Sequence, residues 1–109
     1  MKTTIKEMVS NALKANNEST DDLVCFWQER EGSHYWFSEE SEKCPIKSGG
    51  FDDLPDREYD AGFGGTEGPP FIGYTKKHVY ISVQYDGAED IEAIPRHPKY
   101  VKYIPWPGG

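Results

Sequence analysis

His78-Val79-Tyr80-Ile81-Ser82-Val83-Gln84-Tyr85 alternates over its whole length, placing Val79, Ile81, Val83 and Tyr85 on one side of an extended chain. Asp86-Gly87 follows, a pair suited to the left-handed angles of a two-residue hairpin turn, so Glu89 to Ile94 is expected to return beside it. The acids of that return, Glu89, Asp90 and Glu92, suit an exposed edge, where charge discourages further strand pairing. Upstream, Phe71-Ile72-Gly73-Tyr74 and a Lys76-Lys77 turn supply another strand. Downstream, Pro95 and Pro98 break the pattern, after which Tyr100-Val101-Lys102-Tyr103-Ile104 is expected as a last short strand. Trp106, between Pro105 and Pro107, is expected to dock the tail back onto the sheet.

The N-terminal part reads differently. Thr4 and Glu7 have capping-box spacing, and Ile5, Met8, Val9, Ala12 and Leu13 recur at helical intervals, so residues 4–15 form an amphipathic helix. Asn16 and Asn17 end it, because Asn tolerates the left-handed cap conformation. Leu23-Val24-Cys25-Phe26-Trp27 and His34-Tyr35-Trp36-Phe37 are β-branched and aromatic runs around Gly32 and read as a hairpin. A competing helix would be capped by Ser19 and Asp22, with Leu23, Phe26, Trp27 and Arg30 on one face. Aromatic density favours the strand. His34 and His78 alternate with apolar neighbours and are expected on solvated faces. The fold class is therefore α+β: an N-terminal amphipathic helix packed on an antiparallel sheet of about five strands, with a long acidic loop.

With 109 residues the chain has the size of a single domain, 1–109, able to bury about two-thirds of its unfolded surface. Only 36% of residues are hydrophobic but 14% are aromatic, so a few large rings must fill the core. A net charge of −7 disfavours direct contact with nucleic-acid backbone or anionic membrane and favours a basic partner. Cys25 and Cys44 make no disulfide framework and no CxxC pair, which suits a reduced, cytoplasmic protein. Lys2 and Lys6 are followed by Glu7, Ser10, Asn11 and Lys14, leaving no apolar signal-peptide core, and no apolar run is long enough to span a membrane.

Residues 38–70 form one charged, Gly- and Pro-rich stretch, read as a long irregular excursion and hence as the first place to seek function. Residues 18–67 hold fourteen of the nineteen acids and only Arg30, Lys43, Lys47 and Arg57 as bases, a local net of −10. The candidate partner-binding residues are Glu39, Glu40 and Glu42, then Asp52, Asp53, Asp56, Glu58 and Asp60 with Tyr59 and Phe63 among them, and Glu67. Acids beside aromatic rings resemble a binding surface, since hot spots need apolar anchors as well as charge. The same acids could hold Ca²⁺ or Mg²⁺, but Pro55 and Arg57 interrupt the alternation of a calcium loop, so no metal is assigned. Gly62 to Gly68 lacks the Lys-Ser/Thr ending of a phosphate loop. Cys25, Cys44, His34, His78 and His97 have no catalytic or zinc-ligand spacing, so neither a catalytic residue nor a cofactor is assigned.

The stretch from Phe51 through Asp52-Asp53-Leu54-Pro55-Asp56 to Gly68, followed by Val79 to Tyr85, Asp86-Gly87-Ala88-Glu89 and Ile94-Pro95-Arg96, resembles small proteins carried by bacteriophages and prophages. The likeness covers roughly the C-terminal half. It implies an inhibitor of host defence, of the anti-CRISPR or DNA-mimic kind, that occupies a basic nucleic-acid channel. Lys76, Lys77, Arg96, Lys99 and Lys102 depart from an all-round mimic and imply one-sided binding. The expected function is thus a non-enzymatic acidic interaction protein whose partner is the basic surface of a host nucleic-acid-binding complex. A small metal-assisted enzyme or cation-binding domain, and a phage assembly subunit, remain as alternatives.

Overall fold

A computed structural model describes residues 2–28, 45–62, 68–85 and 88–97. Among these residues the fold is α+β: one helix against a five-stranded antiparallel sheet, with a two-stranded ribbon beside it. The elements run β1 (Lys2–Thr3), α1 (Ile5–Ala15), β2 (Val24–Gln28), β3 (Ile46–Gly49), β4 (Tyr59–Asp60), β5 (Phe71–Tyr74), β6 (His78–Tyr85) and β7 (Ala88–Pro95). The large sheet has the order β3-β2-β5-β6-β7, and β1 pairs with β4.

Helix α1 starts as its sequence dictates. The Thr4 hydroxyl accepts a hydrogen bond from the Glu7 amide at 3.2 Å, while the Glu7 carboxylate accepts from the Thr3 hydroxyl rather than closing the box on Thr4. Ile5, Met8, Val9 and Leu13 are the buried stripe. Each such aliphatic contributes on the order of 1.5–3 kcal/mol by leaving water. At the other end Asn17 adopts φ 57°, its amide donates to Lys14 O, and the Glu18 amide reaches back to Leu13 O at 2.9 Å. This is a Schellman closure built on Asn, and it aims the Glu18 side chain at the sheet.

The competing helix is not formed over the described residues 19–28. Ser19 caps only a short 3-10 turn, Thr20–Asp22, by accepting from the Asp21 amide, and β2 follows. β2 lies between β5 and β3, paired with β3 in the register Trp27↔Lys47 and Phe26↔Ser48, and residues 34–37 of the expected hairpin lie outside the described residues. The excursion read at 38–70 is therefore not irregular throughout: it carries β3, a 3-10 turn at Phe51–Asp53, and β4. Ile-Lys-Ser-Gly has little strand propensity of its own; the edge of β2 makes it a strand, a tertiary effect that composition does not register. β6 and β7 pair from His78↔Pro95 to Tyr85↔Ala88, as their alternation requires. The expected strand at 100–104, and Trp106, lie outside the described residues.

The core lies between α1 and one face of the sheet. Cys25, Trp27, Phe71, Tyr80 and Ile91 point into it from four strands, joined by Leu23, Leu54, Tyr59 and Ala61. Gly73 is needed on this face, because a Cβ there would come within 2.7 Å of the Phe71 ring and 3.0 Å of Leu23. Cys25 is fully buried, its Sγ donating to Gly49 O, and burial, with the nearby Asp53 charge, pushes its thiol up to about 11. It is a small core residue, inert as a nucleophile at neutral pH.

Candidate interaction surfaces

Two surfaces face outward with structured backbone beneath them. The first is the acidic segment 51–60. Its backbone is held at three points: Leu54, Tyr59 and Ala61 are 3%, 3% and 2% exposed. The Tyr59 hydroxyl donates to Met8 Sδ at 2.8 Å, and β4 pairs with β1 beside the start of α1. Asp53 accepts from the Gly50 amide at 2.8 Å and closes the 3-10 turn. Between these anchors Asp52, Asp56 and Glu58 project into solvent. Asp56 reaches Lys6 Nζ at 3.0 Å, but with its side chain 84% exposed the pair is a surface contact of little energetic weight.

Not every expected partner-binding residue belongs to this surface. Tyr59 is a correction: expected to meet a partner, it fills the core, and burial, reinforced by Glu89, raises its hydroxyl pKa above the ordinary tyrosine range. Its ring also requires Gly68, where a Cβ would sit 2.7 Å away. Asp53 has a structural bond to keep, and half-buried Asp60 accepts from the Gly62 amide at 3.0 Å. Glu39, Glu40, Glu42, Phe63 and Glu67 lie outside the described residues.

The second surface is the sheet face turned away from α1. Opposed residues of antiparallel strands share a face, so the register puts Phe26, Ile72, Ile81 and Glu92 in one row and Val24, Tyr74, Val79 and Ile94 in the next. The described elements leave it open: Val24, Phe26, Ile72 and Tyr74 are 41%, 40%, 55% and 39% exposed, and Ile46 at the β3 edge is 71% exposed. Phe26, Gln28, Ile46, Pro70 and Ile72 rim a groove of about 140 Å³ at one end. Val79, Ile81 and Val83 share a face, as their alternation implies, but it is this open one. The sequence does carry a trace of it. β2 and β5 run apolar at consecutive positions, the mark of strands with two apolar faces.

Sequence reasoning also missed a polar cluster on the packed side. His78 lies there, not on a solvated face, with its Nδ1 2.7 Å from Glu18 Oε1, and the Tyr80 hydroxyl donates to the same oxygen. The Glu18 side chain is only 9% exposed. Burial works to raise its pKa, but hydrogen bonds from Thr75, Tyr80 and His78, with the His78 charge, hold it below the ordinary carboxylate value. Burial and the adjoining carboxylate drive the Tyr80 hydroxyl pKa upward in turn. With Glu18 and His78 sixty positions apart, no local spacing could have announced the pair. Its arrangement ties the end of α1 to β6.

Among the described residues, no three His, Cys, Asp or Glu side chains converge as metal ligands. No described helix is long and apolar enough to cross a membrane. Neither a protein-family model, nor a curated protein, nor a solved structure matches the chain.

Proposed function

We propose that the chain is a non-enzymatic interaction protein that presents Asp52, Asp56 and Glu58 to a basic surface of another protein. The observation that carries this reading is that Asp52, Asp56 and Glu58 project from a segment whose backbone is anchored in the core at Leu54, Tyr59 and Ala61. Carboxylates fixed in this way lose little freedom on binding, whereas those of a solvated tail must first be ordered. A field of this sign steers a basic partner and repels nucleic acid. The resemblance to phage proteins makes a nucleic-acid-binding defence complex of a bacterial host the first partner to try, with exclusion of nucleic acid from its channel as the effect.

The test is a gel-shift assay on a panel of CRISPR effector complexes. The chain releases bound nucleic acid in a salt-sensitive manner, and Asp52→Lys/Asp56→Lys/Glu58→Lys loses that effect with an unchanged circular dichroism spectrum. Asp53 stays as it is, because its cap on Gly50 would confound the result. Release by the triple variant equal to that of the parent chain, or no release from any complex, would count against the proposal.

A further inference from the structure

We infer that the open face of the five-stranded sheet seats a basic amphipathic helix supplied by another protein. A sheet apolar on both sides is the pattern of a middle layer, and α1 covers one side only. Taking about 200 Å² for a fully exposed side chain of this size, Val24, Phe26, Ile46, Ile72 and Tyr74 leave roughly 500 Å² of apolar surface open. That is the size of the largest apolar patch on a lone domain, a patch that is often functional. The groove of about 140 Å³ matches one inserted ring or branched aliphatic, since a cavity of about 150 Å³ accepts benzene.

Charge selects among apolar partners. The row Phe26-Ile72-Ile81 ends at Glu92 on β7, and Asp90, opposite Val83, lies on the same face and edge. The carboxylates stand along the β7 edge, while at the far end of the face the Arg96 guanidinium packs over Tyr74 and is held by Thr75 O. The face therefore calls for an apolar stripe with Lys or Arg on the side that meets Asp90 and Glu92, the arrangement of a basic amphipathic helix. Five strands at about 4.8 Å spacing present some 19 Å of width, which a helix of about 18 residues, near 27 Å long, crosses fully. This inference does not depend on the acidic segment, which lies beside α1 on the other side of the sheet.

The experiment uses the full chain and two labelled synthetic helices of about 18 residues, one of Leu and Lys, the other of Leu and Glu with the same apolar spacing. Fluorescence anisotropy is expected to show the Leu/Lys peptide binding and the Leu/Glu peptide not. Ile72→Lys should weaken binding by about tenfold or more, the scale of one lost anchor, and Glu92→Lys by less. Ile46→Lys, at a more exposed edge position, serves where Ile72→Lys fails to fold. The Asp52→Lys/Asp56→Lys/Glu58→Lys variant should keep its peptide affinity, which separates this surface from the acidic one. Equal binding of both peptides, or unchanged binding in Ile72→Lys and Ile46→Lys, overturns the inference. So does a dimer in size-exclusion chromatography that Ile72→Lys dissociates, which assigns the face to a second copy. Peptide binding seen only after removal of residues 98–109 assigns it to the chain's own tail and overturns it equally.

Discussion

Phe71 and Ile72 are adjacent, equally apolar and in the same strand, yet the first is 2% exposed and the second 55%. Cys25 against Phe26 splits in the same way, 0% against 40%, whereas on β6 Tyr80 is buried and its neighbours Val79 and Ile81 are half-buried. Hydrophobicity does not distinguish the two faces of this sheet. On β6 it is no guide, because the aliphatic side, Val79, Ile81 and Val83, lies on the face away from α1 and is half-buried, while the side toward α1 carries buried Tyr80 with half-buried His78 and Ser82. What marks the packed face is α1 and a set of specific polar bonds: Tyr80 and His78 on Glu18, and Ser82 Oγ accepting from the Phe71 amide at 2.9 Å. A buried polar group retains its position only where partners are waiting. Such bonds fix which side of a two-faced sheet receives the helix.

The contrast breaks most sharply by substitution across it. Phe71→Ala should cost about 3–5 kcal/mol in urea denaturation, whereas Ile72→Ala, one residue on, should stay within about 1 kcal/mol. Equal losses would mean that both faces are buried. The polar anchor is the next target. Glu18→Gln removes the charged acceptor shared by His78 and Tyr80 and should cost about 1–3 kcal/mol at neutral pH.

The acid side of that variant carries a sign. Because the folded Glu18 pKa lies below its ordinary value of 4.5, its stabilisation is complete above that value and fades as pH falls through the folded pKa. Stability of the parent chain should therefore converge on that of Glu18→Gln as pH falls from 4.5 through the lowered folded pKa, read from urea midpoints across the range. A gap that persists at low pH would show that Glu18 acts through packing alone.

Gly73→Ala probes how closely the packed face is filled. Its methyl would meet Phe71 at 2.7 Å, so a loss of about 1–3 kcal/mol is expected from overpacking. The smallest effect on stability, and the cleanest on accessibility, comes from thiols. In a Cys44→Ser background Cys25, with its pKa pushed to about 11, should react with a thiol reagent only on unfolding. Adding Ile72→Cys should introduce one thiol that reacts at once. A slow Ile72→Cys thiol would place a cover over the open face.

Legibility followed the range of the interactions. The helix needed only neighbours: Thr4 for its cap, the stripe from Ile5 to Leu13, and Asn17 for its left-handed close, all within a few residues. The β6–β7 pair was equally local, an alternation returning on itself. β3 was not, because its four residues become a strand by lying against β2. Among the candidate partner residues, Asp52, Asp56 and Glu58 face solvent as acids tend to do. Tyr59 does not face it, because Met8, fifty-one positions away, provides a place for its hydroxyl.

The sequence by itself determined the elements and their class: an amphipathic helix, mostly antiparallel neighbours, a charged segment between strands. These follow from periodicity, caps and turns, which act over a few residues and leave a mark in composition. Tertiary structure decided which face of the sheet α1 covers, which acids are anchored and which project, and that the described elements leave an apolar face open. Those outcomes depend on contacts between residues far apart in the chain, Glu18 with His78 and Tyr59 with Met8. Their free energy exists only when the two partners meet, so no single stretch of sequence contains it.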